Sequence, residues 1–332
     1  MTRNYQIDNA KFLMMLFVVF GHLIEIVIET SPMIKTIYMS IYAFHMPVLV
    51  ILSGMVVSDI NSSERHRKNI ESLIIPLIIF TVLYELLNLI TTEKISHYTL
   101  NFQPYWILWF LFSLFVWRTL LPISLQFRYP LLLGLLVSLA AGFIHDVGYF
   151  LGVSRTLYFF PFFILGYKLG SLGLSSGLLL KVPKFAYLLV LFLSILVFWT
   201  LREEPHQWLF GSFSYLRLGH EHIDAALIRV CMYLISLLTA ISVLMLIPRK
   251  ESFMSKLGRN SLLVYLWHGF IVKLAIHFEL MTVLDSISSP LILVILAILA
   301  TVLTILLSAD YVSNWTRKLL FRPASRLILS SR

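Results

Sequence analysis

Apolar runs of about twenty residues recur from one end of this chain to the other, and they constrain its fold more than any motif does. A helix of ~20 apolar residues spans the ~30 Å hydrocarbon core of a bilayer. Hydrophobic residues make up 59% of the 332 and charged residues 13%, where an ordinary soluble domain carries roughly 25% charged residues. The sequence predicts an all-α fold, a polytopic transmembrane helix bundle. About ten spans are expected, near 12–30, 36–58, 72–92, 104–121, 129–146, 155–172, 185–201, 224–247, 260–279 and 289–309. The Gly- and Ser-rich stretch Leu172–Leu180 reads as a loop.

The net charge of +9 would suggest nucleic acid in a soluble protein. Here most of the basic residues fall in alternate short loops, which is the positive-inside pattern. It points to the lipid bilayer as partner, to no nucleic acid, and to both termini in the cytoplasm. Residues 1–332 are expected to form a single integral-membrane domain with no appended soluble domain. The first run carries His22, Glu25 and Glu29 and lacks an Ala-x-Ala site, so it reads as a retained helix rather than a signal peptide. The one cysteine, Cys231, excludes an intramolecular disulfide and a cysteine-rich metal site, and is expected to be a small packing residue. No metal is expected.

Ionisable residues inside lipid are costly and default to function. Lys11 and His22 are eleven residues apart, about three turns plus ~20°, with a rise of ~16 Å. Asp8, Glu25 and Glu29 fall within about 60° of the same line on an ideal helix. The result is a polar stripe on an otherwise apolar helix, which either lines a cavity or ties helices together. His22 with Glu25 one turn away resembles a base and the carboxylate that orients it. Such a pair can remove a proton from a hydroxyl or attack an activated acyl group.

Other polar residues repeat the theme. His45 sits just before Pro47, where a freed backbone carbonyl needs a partner, and Ser53–Gly54 would let helices approach closely. Glu64–Arg65–His66–Arg67–Lys68 is either a topological signal or, through Arg65, Arg67 and Lys68, a clamp for phosphates. Ser261, Tyr265 and His268 share one helix face, as interhelical glue or site lining. Arg155 precedes an aromatic run and would hold a sugar or anchor at the interface. The segment Arg202–Ile223 mixes Trp208 and Tyr215 with His206, His220, Glu221 and His222, which suits a sugar or an interfacial loop. No phosphate-binding glycine loop and no GxGxxG fingerprint occurs.

Together these blocks resemble the acyltransferase-3 family of membrane acyltransferases, most closely its fucose 4-O-acetylase-like branch. The resemblance is carried by Ile7–Asp8–Asn9–Ala10–Lys11 through His22, by Phe44–His45–Met46–Pro47 with Ser53–Gly54, and by Trp109–Phe110–Leu111. It continues in Arg155 with Phe160–Pro161–Phe162–Phe163–Ile164–Leu165–Gly166, and in Gly258–Arg259–Asn260–Ser261 with Tyr265 to His268. It implies transfer of an acyl group from cytoplasmic acyl-coenzyme A, most simply acetyl-CoA, to a hydroxyl of an extracytoplasmic or lipid-linked surface glycan such as an O-antigen or capsule. It implies a catalytic His22 assisted by Lys11 and Glu25, with donor contacts at Lys11, Arg65, Arg67 and Lys68. Acceptor contacts would come from Glu29, His45, Arg155, Tyr265 and His268. Many family members carry an arginine where Lys11 stands, and an Arg-x-x-Arg loop where this chain reads Arg65-x-Arg67-Lys68. The expected home is the bacterial inner membrane, as a multi-pass protein. The rival readings are an exporter of polysaccharide or acyl metabolites, since intramembrane His and Glu also serve proton relays, and a structural subunit of a glycan-assembly complex.

Overall fold

The structure, a computed structural model, describes residues 3–57, 63–144, 150–172, 181–220, 222–280, 282–284 and 287–329. It is built from helices, with no strand among the described residues. Each apolar run forms one: α1 (Tyr5–Glu25), α2 (Pro32–Met55), α3 (Ile75–Thr92), α4 (Trp109–Ser124), α5 (Pro130–Ala141), α6 (Val153–Leu172), α7 (Lys184–Thr200), α8 (Asp224–Leu246), α9 (Ser261–His277) and α10 (Ser289–Leu307). Among the described residues six segments are long and apolar enough to cross a membrane: α1, α2, Glu64–Thr92, Trp106–Ser124, α8 and α10. α5 and α7 are apolar but shorter. The 12 residues of α5 rise only ~18 Å, well short of a ~30 Å core. An apolar run in sequence therefore marks a helix here without guaranteeing a crossing.

The chain divides into two compact units. The first comprises Met1–Leu52, Gly173–Leu209 and Val230–Asp310, and the second Ser53–Leu172, Phe210–Arg229 and Tyr311–Arg332.

In the first unit α1 packs against α9, α10 and the short helix Phe253–Leu257. Asn4 caps it, its side chain accepting from the backbone N–H groups of Gln6 and Ile7, which stabilises a helix start by about 1 kcal/mol. The polar residues of its first turns are then spent on neighbours. Gln6 donates to the Leu244 carbonyl at 2.8 Å, and Asn9 to the carbonyls of Pro248 and Lys250 at 2.8 and 3.0 Å. Ser252 donates back to Asn9 at 2.6 Å. Gly258 lies so close to the Asp8 carbonyl that no side chain fits between them. Asn260, at the start of α9, donates to the Ser308 carbonyl and the Asp310 carboxylate, each at 2.9 Å. These bonds fix the axial position of α1, and hence of the residues in its last turn.

In the second unit α6 packs on α4 and α5. Gly54, in the last turn of α2, faces the Phe163 carbonyl and the Tyr167 N–H, and Gly170 faces the backbone of Met55. The small residues expected to allow close helix approach do so here. Trp117 donates to the Thr156 carbonyl at 2.7 Å. Arg229, 2% exposed, donates to the carbonyls of Ser138 and Phe213 and stacks on the Tyr215 ring at 4.3 Å.

Three sequence readings change. Cys231 is exposed rather than packed. Trp208 and Tyr215 are 2% and 1% exposed, so they are core residues of their units rather than headgroup anchors. α1 begins seven residues earlier than expected and ends at Glu25, which leaves Glu29 beyond it. Residues 173–180 of the expected loop, and Glu221, lie outside the described residues.

Candidate active site

The last turn of α1 carries the one carboxylate–imidazole pair read from the sequence. Nδ1 of His22 lies 3.0 Å from Oε2 of Glu25, with side chains 16% and 36% exposed. An ionised carboxylate only accepts, so Nδ1 carries the hydrogen and Nε2 carries the ring's lone pair. The same Glu25 oxygen accepts from the Tyr42 hydroxyl at 3.4 Å. Two donors on one oxygen hold the carboxylate in place, and the carboxylate holds the imidazole.

Tyr42 is the residue that sequence reasoning missed. It sits on α2 between Tyr38, stacked at a 4.0 Å centroid separation, and His45, edge-on at 4.6 Å. Its signal was its place one turn before His45 on the same helix face. Gly21 makes room for it: a Cβ at that position would lie 3.1 Å from the Tyr42 ring.

His45 and His268 lie in the same unit. His45 donates from Nδ1 to the Ile41 carbonyl at 2.8 Å, and His268 to the Val264 carbonyl at 2.9 Å. Each bond runs to the residue four back on the histidine's own helix. Neither tethers one helix to another, as the glue reading requires. For His45 the partner is also not Ala43, whose carbonyl loses its usual donor to Pro47. The His268 ring stacks against that of His22, centroids 5.4 Å apart and planes 27° off parallel. Tyr265, 5% exposed, has its ring 6.2 Å from that of His268.

His206 joins the group from the segment flagged as a possible sugar face. Its ring stands edge-on to Tyr38 at 5.4 Å. Burial holds His206 below the ordinary histidine pKa, as does the charge of Lys35, while Glu29 and Glu25 pull the other way. The electrostatic neighbourhood of Glu25 thus includes a third element, the turn His206–Leu209.

The remaining candidates are placed as follows. Lys11 is in α1, partly exposed, and Glu29 is exposed in the 3₁₀ turn Ile28–Thr30. Arg65, Arg67 and Lys68 lie in the second unit, on the short helix Ser63–Asn69. Arg67 pairs with Glu71 at 3.2 Å and Lys68 with Glu64 at 2.7 Å, both across one turn. Arg155 is also in the second unit, with its guanidinium over the rings of Trp109 and Phe210 at 5.2 and 5.8 Å. Structure therefore brings His22, Glu25, His45, Tyr265 and His268 together in the first unit. Among the described residues no group of three or more His, Cys, Asp or Glu is placed to hold a metal ion.

A family model described as an acyltransferase domain, acyltransferase 3, matches residues 4–309. The chain belongs to the acyltransferase-3 family. No curated protein and no solved structure matches it. As an acyltransferase-3 protein with six helices fit to cross a membrane among its described residues, it is a membrane acyltransferase. Membership favours acyl transfer over the exporter expected as the rival. The His22–Glu25 pair falls inside the matched region, as do all the other candidate residues.

Proposed function

We propose that this acyltransferase moves an acetyl group from acetyl-CoA, or another acyl group from its CoA thioester, to a hydroxyl of a surface glycan or its lipid-linked precursor. The observation that carries the reading is the His22–Glu25 pair, 3.0 Å apart in the last turn of α1. An imidazole fixed by a carboxylate at Nδ1 presents Nε2 either as a general base or as a nucleophile toward a thioester. Glu25 balances the positive charge that develops on the ring in either case. Tyr42 positions Glu25.

Lys11 is the proposed donor contact in the first unit, and Arg65, Arg67 and Lys68 are the proposed phosphate contacts in the second. The ion pairs of Arg67 and Lys68 do not argue against this, because exposed pairs are weak and readily exchanged for a phosphate. The proposed acceptor contacts are Glu29, His45, Tyr265 and His268 in the first unit and Arg155 in the second. Guanidinium and aromatic rings together suit a polyhydroxylated ring, which offers both apolar faces and hydroxyls. The proposed setting is a bacterial inner membrane, the proposed branch the fucose 4-O-acetylase-like one, and the proposed arrangement about ten spans with both termini cytoplasmic.

The test uses membranes from cells expressing the chain together with an acylated surface polysaccharide. Acetyl-labelled acetyl-CoA is added, and label is followed into the polysaccharide. Label in the glycan, dependent on the chain, is the expected result. Chain-dependent movement of intact acetyl-CoA or glycan across the membrane, without label in an ester, would replace acyl transfer by transport.

A further inference from the structure

His268 has no exposed surface, and its Nε2 has no hydrogen-bond partner. The carbonyl of Val264 can only accept, so Nδ1 carries the ring hydrogen and Nε2 is a bare lone pair. A buried acceptor left unmade costs about 1–3 kcal/mol. A residue whose role was packing would not bear that cost, since leucine would fill the space without it. A residue tying helices together would direct its bond to another helix, and this one bonds within α9. What sets His268 apart is its neighbour: its ring lies against that of His22 at 5.4 Å. The first unit thus holds two imidazoles side by side, each with its Nδ1–H anchored and its Nε2 bare of hydrogen.

One imidazole cannot perform both halves of an acyl transfer that passes through it. Once Nε2 of His22 is acylated its lone pair is gone, and its Nδ1–H is committed to Glu25. A second base must then accept the proton of the incoming hydroxyl. We propose that His268 is that base, so that His22 carries the acyl group and His268 activates its acceptor. This rests on the reading of His22 as the residue of acyl transfer.

In the first half, Nε2 of His22 bonds to the thioester carbonyl carbon. The C–S bond breaks with its electron pair on sulfur, leaving a thiolate, and Glu25 balances the acyl-imidazolium. In the second half, the acceptor oxygen bonds to the acyl carbon while its proton moves to Nε2 of His268. The C–N bond breaks and returns its electron pair to His22. The proton on His268 is then released, and the thiolate is protonated to the thiol. A thioester and an alcohol become an ester and a thiol, with no other reactant.

Two substitutions separate the base from the scaffold. In His268→Asn the side-chain amide can still donate to the Val264 carbonyl, as Nδ1 does, but nothing stands at Nε2. In His268→Gln the amide nitrogen falls near Nε2 and is no base. Membranes carrying the full chain and its glycan receive acetyl-labelled acetyl-CoA, and label is followed separately on protein and polysaccharide. In His268→Asn, label is expected to accumulate on the protein and to vanish on further change of His22 to Ala. Label in the glycan should form about 10²- to 10⁴-fold more slowly. Glycan labelling within a few-fold of wild type overturns the proposal. So does a His268→Asn protein, inserted at wild-type level, that takes up no label, since His268 would then be needed before acylation. If His268→Asn fails to insert, His268→Gln is read by the same criteria, and failure of both to insert assigns His268 to folding. A wild-type chain that labels neither protein nor glycan instead overturns the acyl-transfer reading itself.

Discussion

Replacing Glu25 with Gln isolates the charge on the carboxylate from its shape. Gln keeps an oxygen that can accept from Nδ1 of His22, so the tautomer with Nε2 bare is retained. What is lost is the attraction between carboxylate and ring once the ring becomes cationic. Two unit charges at the observed 3.0 Å interact by ~5 kcal/mol at an effective dielectric of ~20. The Glu25 side chain is 36% exposed, so solvent screens a large part of this. A hydrogen bond to a charged group retains about 1.5–3 kcal/mol, which corresponds to a loss of roughly 10- to 150-fold in rate. The loss should fall on kcat, with KM for acetyl-CoA nearly unchanged, because the charge matters only when the ring is positive. Tyr42→Phe is the companion: its bond to Glu25 is long, 3.4 Å, so only a few-fold loss is expected. Combined with Glu25→Gln it should add little, since both act through one oxygen. The assay is initial-rate transfer of labelled acetyl in membranes normalised for inserted protein. A Glu25→Gln protein with wild-type kcat would refute the reasoning, as would one whose whole loss is in insertion.

Other outcomes follow from particular contacts. Gly54→Ala puts a methyl group onto the Phe163 carbonyl and Tyr167 N–H, neither of which can swing aside, so it should lower stability by about 1–3 kcal/mol despite the better helix propensity of Ala; a detergent-solubilised protein melting at or above the wild-type temperature contradicts this. His206 is held below its ordinary pKa of 6.5 by burial, so the folded state favours its neutral form. Its contribution to stability is complete above about pH 6.5 and is lost as pH falls from there toward the folded value. His206→Gln should therefore show a smaller drop in melting temperature between pH 7.5 and 5.5 than the wild type, and an equal or larger drop counts against it. Lys68→Ala removes an exposed pair with Glu64 and should leave melting unchanged while raising KM for acetyl-CoA several-fold; an unchanged KM removes Lys68 from the donor contacts.

Hydropathy made the existence of the helices legible, because each apolar run fills a helix, but it set their ends only loosely: α1 runs from Tyr5 to Glu25 where the apolar run reads 12–30. It did not say which helices are long enough to cross: α5 reads as a span yet has 12 residues. The i to i+3 spacing of His22 and Glu25 was sufficient to pair them, since a helix converts it directly into contact. Glu29 shows the limit of the same projection, for α1 stops at Glu25 and the stripe cannot continue past a helix end. The contacts of Tyr42 and His206 with this group were not legible, because they depend on how separate elements pack. Nor was the stacking of His268 on His22, which brings together residues 246 positions apart. The surroundings of Arg229 were not legible either, since only packing encloses it with two carbonyls and two aromatic rings.

The role of His22 is the claim on which the rest depends. The most direct measurement is chain-dependent transfer of label from acetyl-CoA to surface glycan, compared between wild type and His22→Ala at equal amounts of inserted protein. Loss of the base or nucleophile should lower transfer by about 10²- to 10⁴-fold, while membrane insertion and melting stay close to wild type. Transfer by His22→Ala at the wild-type rate would contradict it and move the chemistry away from the last turn of α1.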